Sequence, residues 1–109
     1  MKECEIVWLL VLFDLPAVTT AEKRSHVRYR NRLLRLGFTR LQWSVYARSY
    51  PTQRATEPDA KLATQAVPKG GRVRALYVTD LQFGRMVCVD GFERRAPEEP
   101  LDQVLVLDN

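Results

Sequence analysis

Cysteine and histidine are both scarce in this sequence. Among 109 residues there are two cysteines, Cys4 and Cys88, and one histidine, His26. Two cysteines are too few for the disulfide framework that holds small exported domains together. Long apolar runs are lacking as well: nothing approaches the roughly 18 residues that a membrane span needs. Residues 6–13, which follow Lys2, could pass for the core of a signal peptide. Glu3 and Glu5 interrupt the basic region before it, however, and Asp14-Leu15-Pro16 stand where a small-residue cleavage site belongs. The expectation is a reduced, cytoplasmic protein with no membrane association. With 46% hydrophobic residues, the chain has room for one compact domain.

Charge is present in quantity and unevenly placed. The net charge is +4. Between residues 22 and 35, the six cations Lys23, Arg24, Arg28, Arg30, Arg32 and Arg35 face the lone carboxylate of Glu22, a local charge of +5. In the last twenty residues six carboxylates outnumber Arg94 and Arg95, a local charge of −4. A basic segment with an acidic tail points to a polyanionic partner for one face.

Residues 6–13 are continuously apolar and rich in strand formers, which predicts a central strand covered on both faces. Pro16 ends it. Thr19 and Thr20 are N-cap candidates for a helix from Glu22 to about Leu36, and Gly37 is its expected stop. Residues 38–41 and 44–50 read as two strands joined at Gln42 and Trp43. Thr56-Glu57-Pro58 resembles the start of a second helix with a thin alanine face. Residues 72–78 read as a half-exposed strand. Thr79 and Asp80 cap a single turn that Gly84 stops, and residues 86–89 read as a further strand. A Pro/Glu linker, residues 97–100, leads to a last strand at 104–107.

Strand, helix, strand, strand, helix, strand is the order of the ferredoxin-like α+β fold, with an antiparallel sheet and both helices on one face. The expected organisation is a single domain, with a core over residues 1–78 and C-terminal dimerisation strands and tail over 79–109. The second face of the sheet is left bare and the strand at 104–107 has no partner. A second copy of the chain supplies both needs, so a homodimer is expected.

At roughly 100° per residue, Arg24, Arg28, Arg32 and Arg35 fall within one arc of roughly 80° on the first helix. Val27, Tyr29, Leu33, Leu34 and Leu36 fill the opposite half. Such a stripe is either a solvated face or a track for phosphates, which arginine grips through paired N–H groups. The lack of interspersed carboxylates favours the second. Arg30 falls inside the apolar half and calls for a carboxylate or carbonyl partner; Asp14 and loop carbonyls are both candidates.

Asp14 directly follows the apolar strand. Alone, it reads as a turn residue before Leu15-Pro16. One carboxylate makes a poor magnesium site, because the ion wants an octahedron of oxygens with one or two protein carboxylates. In a symmetric dimer, two copies of Asp14 supply a pair.

Several runs together resemble the CRISPR-associated protein 2 family: Phe13-Asp14-Leu15-Pro16, Tyr29-Arg30 with Leu33-Leu34, Gly37-Phe38, residues 40–48 from Arg40 to Arg48, residues 71–74, and Thr79 through Gln82-Phe83. They are collinear and cover residues 6 to about 91. The Asp-Leu-Pro version and the helix pattern are most similar to members from type II systems. The resemblance implies a ferredoxin-like homodimer whose C-terminal strand packs on the partner's sheet. It implies metal-dependent phosphodiesterase activity on RNA or DNA in some members, with Mg²⁺ or Mn²⁺ held by Asp14. It also implies a scaffold role beside the CRISPR integrase in spacer acquisition. Backbone-contacting positions fall on Arg40 and Arg48, with an aromatic at Tyr46. Many members carry tyrosine where this chain has Phe13, and the second helix is short.

Two functions are therefore expected from the sequence. One is a metal-dependent endonuclease with Asp14 as catalytic and metal residue. The other is a non-catalytic dimeric platform that binds duplex DNA or RNA through Arg24, Arg28, Arg32, Arg35, Arg40 and Arg48 and docks the integrase subunit. No general base is evident, since His26 lies on the apolar side of its helix. An RNA-recognition module is disfavoured, because such modules carry stacking aromatics on two central strands and the first strand here is wholly apolar.

Overall fold

A computed structural model describes residues 5–91 and places the apolar run at the centre of a four-stranded antiparallel sheet. The elements are β1 (Val7–Asp14), α1 (Thr20–Arg35), β2 (Thr39–Gln42), β3 (Val45–Tyr50), α2 (Glu57–Gln65), β4 (Arg72–Thr79) and the short α3 (Asp80–Gly84). A single 3₁₀ turn, Arg54–Thr56, leads into α2. The sheet order is β2-β3-β1-β4, the ferredoxin-like arrangement that the element order predicts.

Alternation along β1 decides which side is the core. Val7, Leu9, Val11 and Phe13 are buried, whereas Trp8, Leu10 and Leu12 are only partly covered and Asp14 is exposed. Tyr29 and Leu33 of α1, Phe38, Tyr46 and Tyr50, and Ala63 of α2 pack on the first set. Both helices therefore lie on one face. Tyr29 Oη donates to the Ala63 carbonyl at 2.6 Å and ties α1 to α2; burial raises this phenol to about 12. The strand is thus covered on one face, and the other stays half open within the described residues.

Local signals set the helix ends. Thr19 accepts from Glu22 N at 3.1 Å while the Glu22 carboxylate accepts from Thr19 N at 3.0 Å, a capping box. These backbone bonds hold the Glu22 carboxyl below its ordinary value. Gly37, with φ +96°, takes the left-handed conformation that ends α1. At α3, Thr79 and Gln82 repeat the capping box.

Three readings from the sequence need correction. Residues 86–89 form no strand: Val87 and Val89 are 86% and 89% exposed. A strand needs a ladder partner for its backbone groups, and among the described residues none flanks it. Val27 and Leu34, assigned to the apolar half of α1, are exposed. The helix rests on the sheet along the narrower stripe of Tyr29, Leu33 and the half-buried Leu36. Arg30 meets neither a carboxylate nor a carbonyl among the described residues; its guanidinium lies 5.5 Å from the centre of the Trp43 ring. The expected linker and the strand at 104–107 lie outside the described residues.

Arg30 belongs to a cluster that closes one end of the space between α1 and the sheet. His26 meets Phe13 edge-on at 6.0 Å and Trp43 at 6.2 Å between ring centroids. Arg40 stands 4.8 Å from the Trp43 ring. Desolvation first, then the charges of Arg30 and Arg40, hold the His26 imidazole below its ordinary value.

Leu33 is fully buried, so Leu33→Ala is expected to lower unfolding free energy by about 2–5 kcal/mol, read from urea midpoints. His26 gives a pH signature. Its folded-state value is depressed, so the unfolded chain takes up the proton first as pH falls below about 6.5. Stability is expected to decline between about pH 7 and 5, and His26→Gln to flatten that slope. Glu22 acts only at lower pH, below its ordinary 4.5, which keeps the two effects apart in a urea-midpoint series.

Candidate nucleic-acid interface and carboxylate site

Asp14 is the last residue of β1 and its side chain is exposed. It registers opposite Arg72, the first residue of β4, and directly opposed residues of an antiparallel pair share a face. The Gly70–Gly71 turn brings the two strand ends together. Gly70 has φ +82°, and Gly71 N donates to the Pro68 carbonyl at 2.9 Å. A Cβ on Gly71 would fall 2.5 Å from Leu15 Cδ2 and 3.1 Å from the Pro68 oxygen, so the turn fits because that residue has no side chain. Among the described residues no ion pair engages Asp14.

A divalent cation fits this carboxylate only in part. Among the described residues there is no group of three or more His, Cys, Asp or Glu side chains that could hold a metal. One protomer brings Asp14 alone. A second Asp14, were another copy to bring one, would make up the one or two protein carboxylates that a largely hydrated Mg²⁺ takes. Asp14 lies at the end of the sheet face that the helices leave open, the same face as Trp8, Leu10 and Leu12. Trp8 there stacks on Phe83 at 4.0 Å and donates its indole N–H to Asp80 at 2.7 Å.

The six arginines expected to bind nucleic acid fall into four different settings. Arg24, Arg28 and Arg35 are exposed on α1. Thr20, Lys23, Arg24, Val27 and Arg28 line a shallow depression of about 340 Å³ there. Arg32 leans toward α2 and donates to the Leu62 carbonyl at 3.4 Å. Arg40 lies on the helix side of the sheet against Trp43.

Arg48 is the fourth case and is occupied within the fold. It bonds the Leu36 carbonyl at the end of α1 and pairs with Asp59 of α2 at 2.9 Å. Its guanidinium also lies 4.8 Å from the Tyr50 ring centre. Tyr50 Oη donates to the same Asp59 oxygen at 2.7 Å. Burial, then this bond to Asp59, raises the Tyr50 phenol well above its ordinary value.

Sequence reading did not single out three residues that matter here: Arg72, Asp59 and Trp43. Arg72 stands in the 71–74 run of the resemblance, which gives it no role, and Asp59 carries no local signal; their importance comes from register and helix packing. Trp43 carries a weak one, a large aromatic at a hairpin turn where small polar residues are usual.

No helix among the described residues is long and apolar enough to cross a membrane. The family model for CRISPR associated protein Cas2 matches residues 7–86. Proteins named CRISPR-associated endoribonuclease Cas2 from Paracidovorax avenae and Parvibaculum lavamentivorans are each 36% identical to the chain over 98 residues. Those matches cover 90% of this chain and 91% and 97% of the two relatives. A protein of the same name from Flavobacterium psychrophilum is 32% identical over 104 residues, covering 95% of this chain and 90% of its own. The matched span runs from the first residue of β1 through α3, and so includes Asp14, the basic helix and the Trp43 turn. The chain belongs to the CRISPR-associated Cas2 family.

Proposed function

We propose that the protein is a nucleic-acid-binding endonuclease of CRISPR spacer acquisition that acts as a homodimer. The observation that carries this reading is Asp14, an exposed carboxylate at the tip of the central strand with no ion pair among the described residues. The relatives' shared name, an endoribonuclease, supports phosphodiester hydrolysis as the chemistry. Two Asp14 carboxylates, one from each copy, would hold Mg²⁺ or Mn²⁺. When bound there, the ion supplies electrophilic charge to a phosphodiester and a more acidic water. Arg72, across the strand pair on the same face, adds a fixed positive charge next to the carboxylate. The open sheet face, with Leu10, Leu12 and the 45%-exposed Leu76, is where the second copy would pack.

A second reading, a platform that binds duplex DNA and docks the integrase subunit without cutting, is favoured by a separate observation. The stripe of Arg24, Arg28 and Arg35 lies on the helix layer, whereas Asp14 ends the opposite face of the sheet. Binding and cleavage therefore do not share a surface. His26 is edge-packed between two rings, so neither reading has a histidine base.

Asp14→Asn is expected to reduce Mg²⁺- or Mn²⁺-dependent cleavage of single-stranded RNA to the metal-free background while leaving dimerisation and RNA binding intact. Cleavage that survives would rule out the carboxylate assignment and favour the platform. Replacing Arg24, Arg28 and Arg35 together by Ala is expected to lower the slope of log affinity against log salt by about 2.7, close to 0.9 for each phosphate no longer neutralised. An unchanged slope in filter-binding titrations would place the phosphate track elsewhere.

A further inference from the structure

Trp43 occupies an unusual position. It stands at the β2–β3 turn, is 51% exposed, and is approached by two guanidinium groups at 5.5 and 4.8 Å and by the His26 edge. A surface indole commonly rests on an apolar neighbour. Here its company is cationic. Among the described residues, Arg30 Nε and His26 Nε2 are buried without a hydrogen-bond partner, and no carboxylate pairs with Arg30. The indole is not among the residues of the fold's apolar cluster. Positive charge around a half-open aromatic ring suits an anionic ligand with a flat, polarisable part.

The geometry points to Trp43 as a stacking platform for one unpaired nucleobase, with Arg30 facing the neighbouring backbone phosphate. The ligand class is thus a single-stranded stretch of RNA or DNA. Aromatic faces accept any base, and cationic side chains beside them track the backbone. The placement agrees with this. Ser44, next in the turn, accepts a backbone bond from Phe13 N at 3.1 Å, so the platform stands at the same end of the sheet as Asp14. Arg40, Arg30 and His26 put Trp43 on the helix side of the sheet. A second copy packed on the open face would leave it accessible. The inference rests on the nucleic-acid reading above and adds to it the residue that would hold one unpaired base.

The test compares the full chain with Trp43→Ala and Trp43→Phe, using a short oligouridylate, the matching oligodeoxythymidylate and a blunt DNA duplex. Trp43→Ala is expected to weaken both single strands by about 5- to 150-fold and leave the duplex within about twofold. Trp43→Phe is expected to retain most of the affinity. Indole fluorescence quenching by the single strands should be lost in Trp43→Phe, whose remaining indole is Trp8. A larger loss for oligouridylate than for oligodeoxythymidylate identifies RNA as the occupant, and the reverse identifies DNA. Equal loss on duplex and single strands, or none, overturns the platform while leaving duplex binding by α1 intact. If the parent binds none of the three, nucleic-acid binding itself fails and the platform falls with it.

Discussion

The rest of the structure depends on β1 being held from both sides. Six of its residues pair with β3 and all eight pair with β4, so its register is fixed along its whole length. A slip of one residue would turn Val7, Leu9, Val11 and Phe13 out of the core and Asp14 into it. The exposure of the carboxylate and the burial of the phenylalanine before it are thus one fact. The same register sets Arg72 beside Asp14 and the Trp43 turn beside Phe13.

From that strand the protein is built as two layers of different electrostatic character. The helix layer carries exposed guanidinium groups outward from α1. The sheet face that α1 and α2 leave uncovered among the described residues is apolar along its middle and ends in an Asp/Arg pair of opposed residues. Between the layers, at one end, lies the cluster of Phe13, His26, Arg30, Arg40 and Trp43. On the proposed function, long-range attraction of a polyanion would act on the first layer and hydrolysis at Asp14 on the second.

Much of this was legible in the sequence because the signals were local. The eight-residue apolar run, the Thr19/Glu22 and Thr79/Gln82 spacings and Gly37 each carry their structure in neighbouring residues, and each element forms where they place it. Longer-range features were not legible. Arg48 looked free for a ligand because Asp59 lies eleven residues on, in a different element. Arg30 looked as though it needed a carboxylate, and met an indole contributed by a turn thirteen residues away. Residues 86–89 have the composition of a strand, but composition cannot supply a pairing partner. Helical periodicity also overstated the buried arc of α1, because a helix on a twisted sheet touches it along a narrow line and leaves Val27 and Leu34 at the margin.

The cluster of Arg48, Asp59 and Tyr50 has a consequence for how the sequence can drift. One carboxylate oxygen serves two donors from β3, and the same guanidinium nitrogen reaches the last turn of α1. Change at position 59 therefore costs two partners a bond at once, Arg48 and Tyr50. Change at 48 does the same to Asp59 and the Leu36 carbonyl, whereas change at 50 affects one. The three positions form one bonded unit, with the helix end at Leu36 as its fourth member, so substitutions among them are expected to arrive in company.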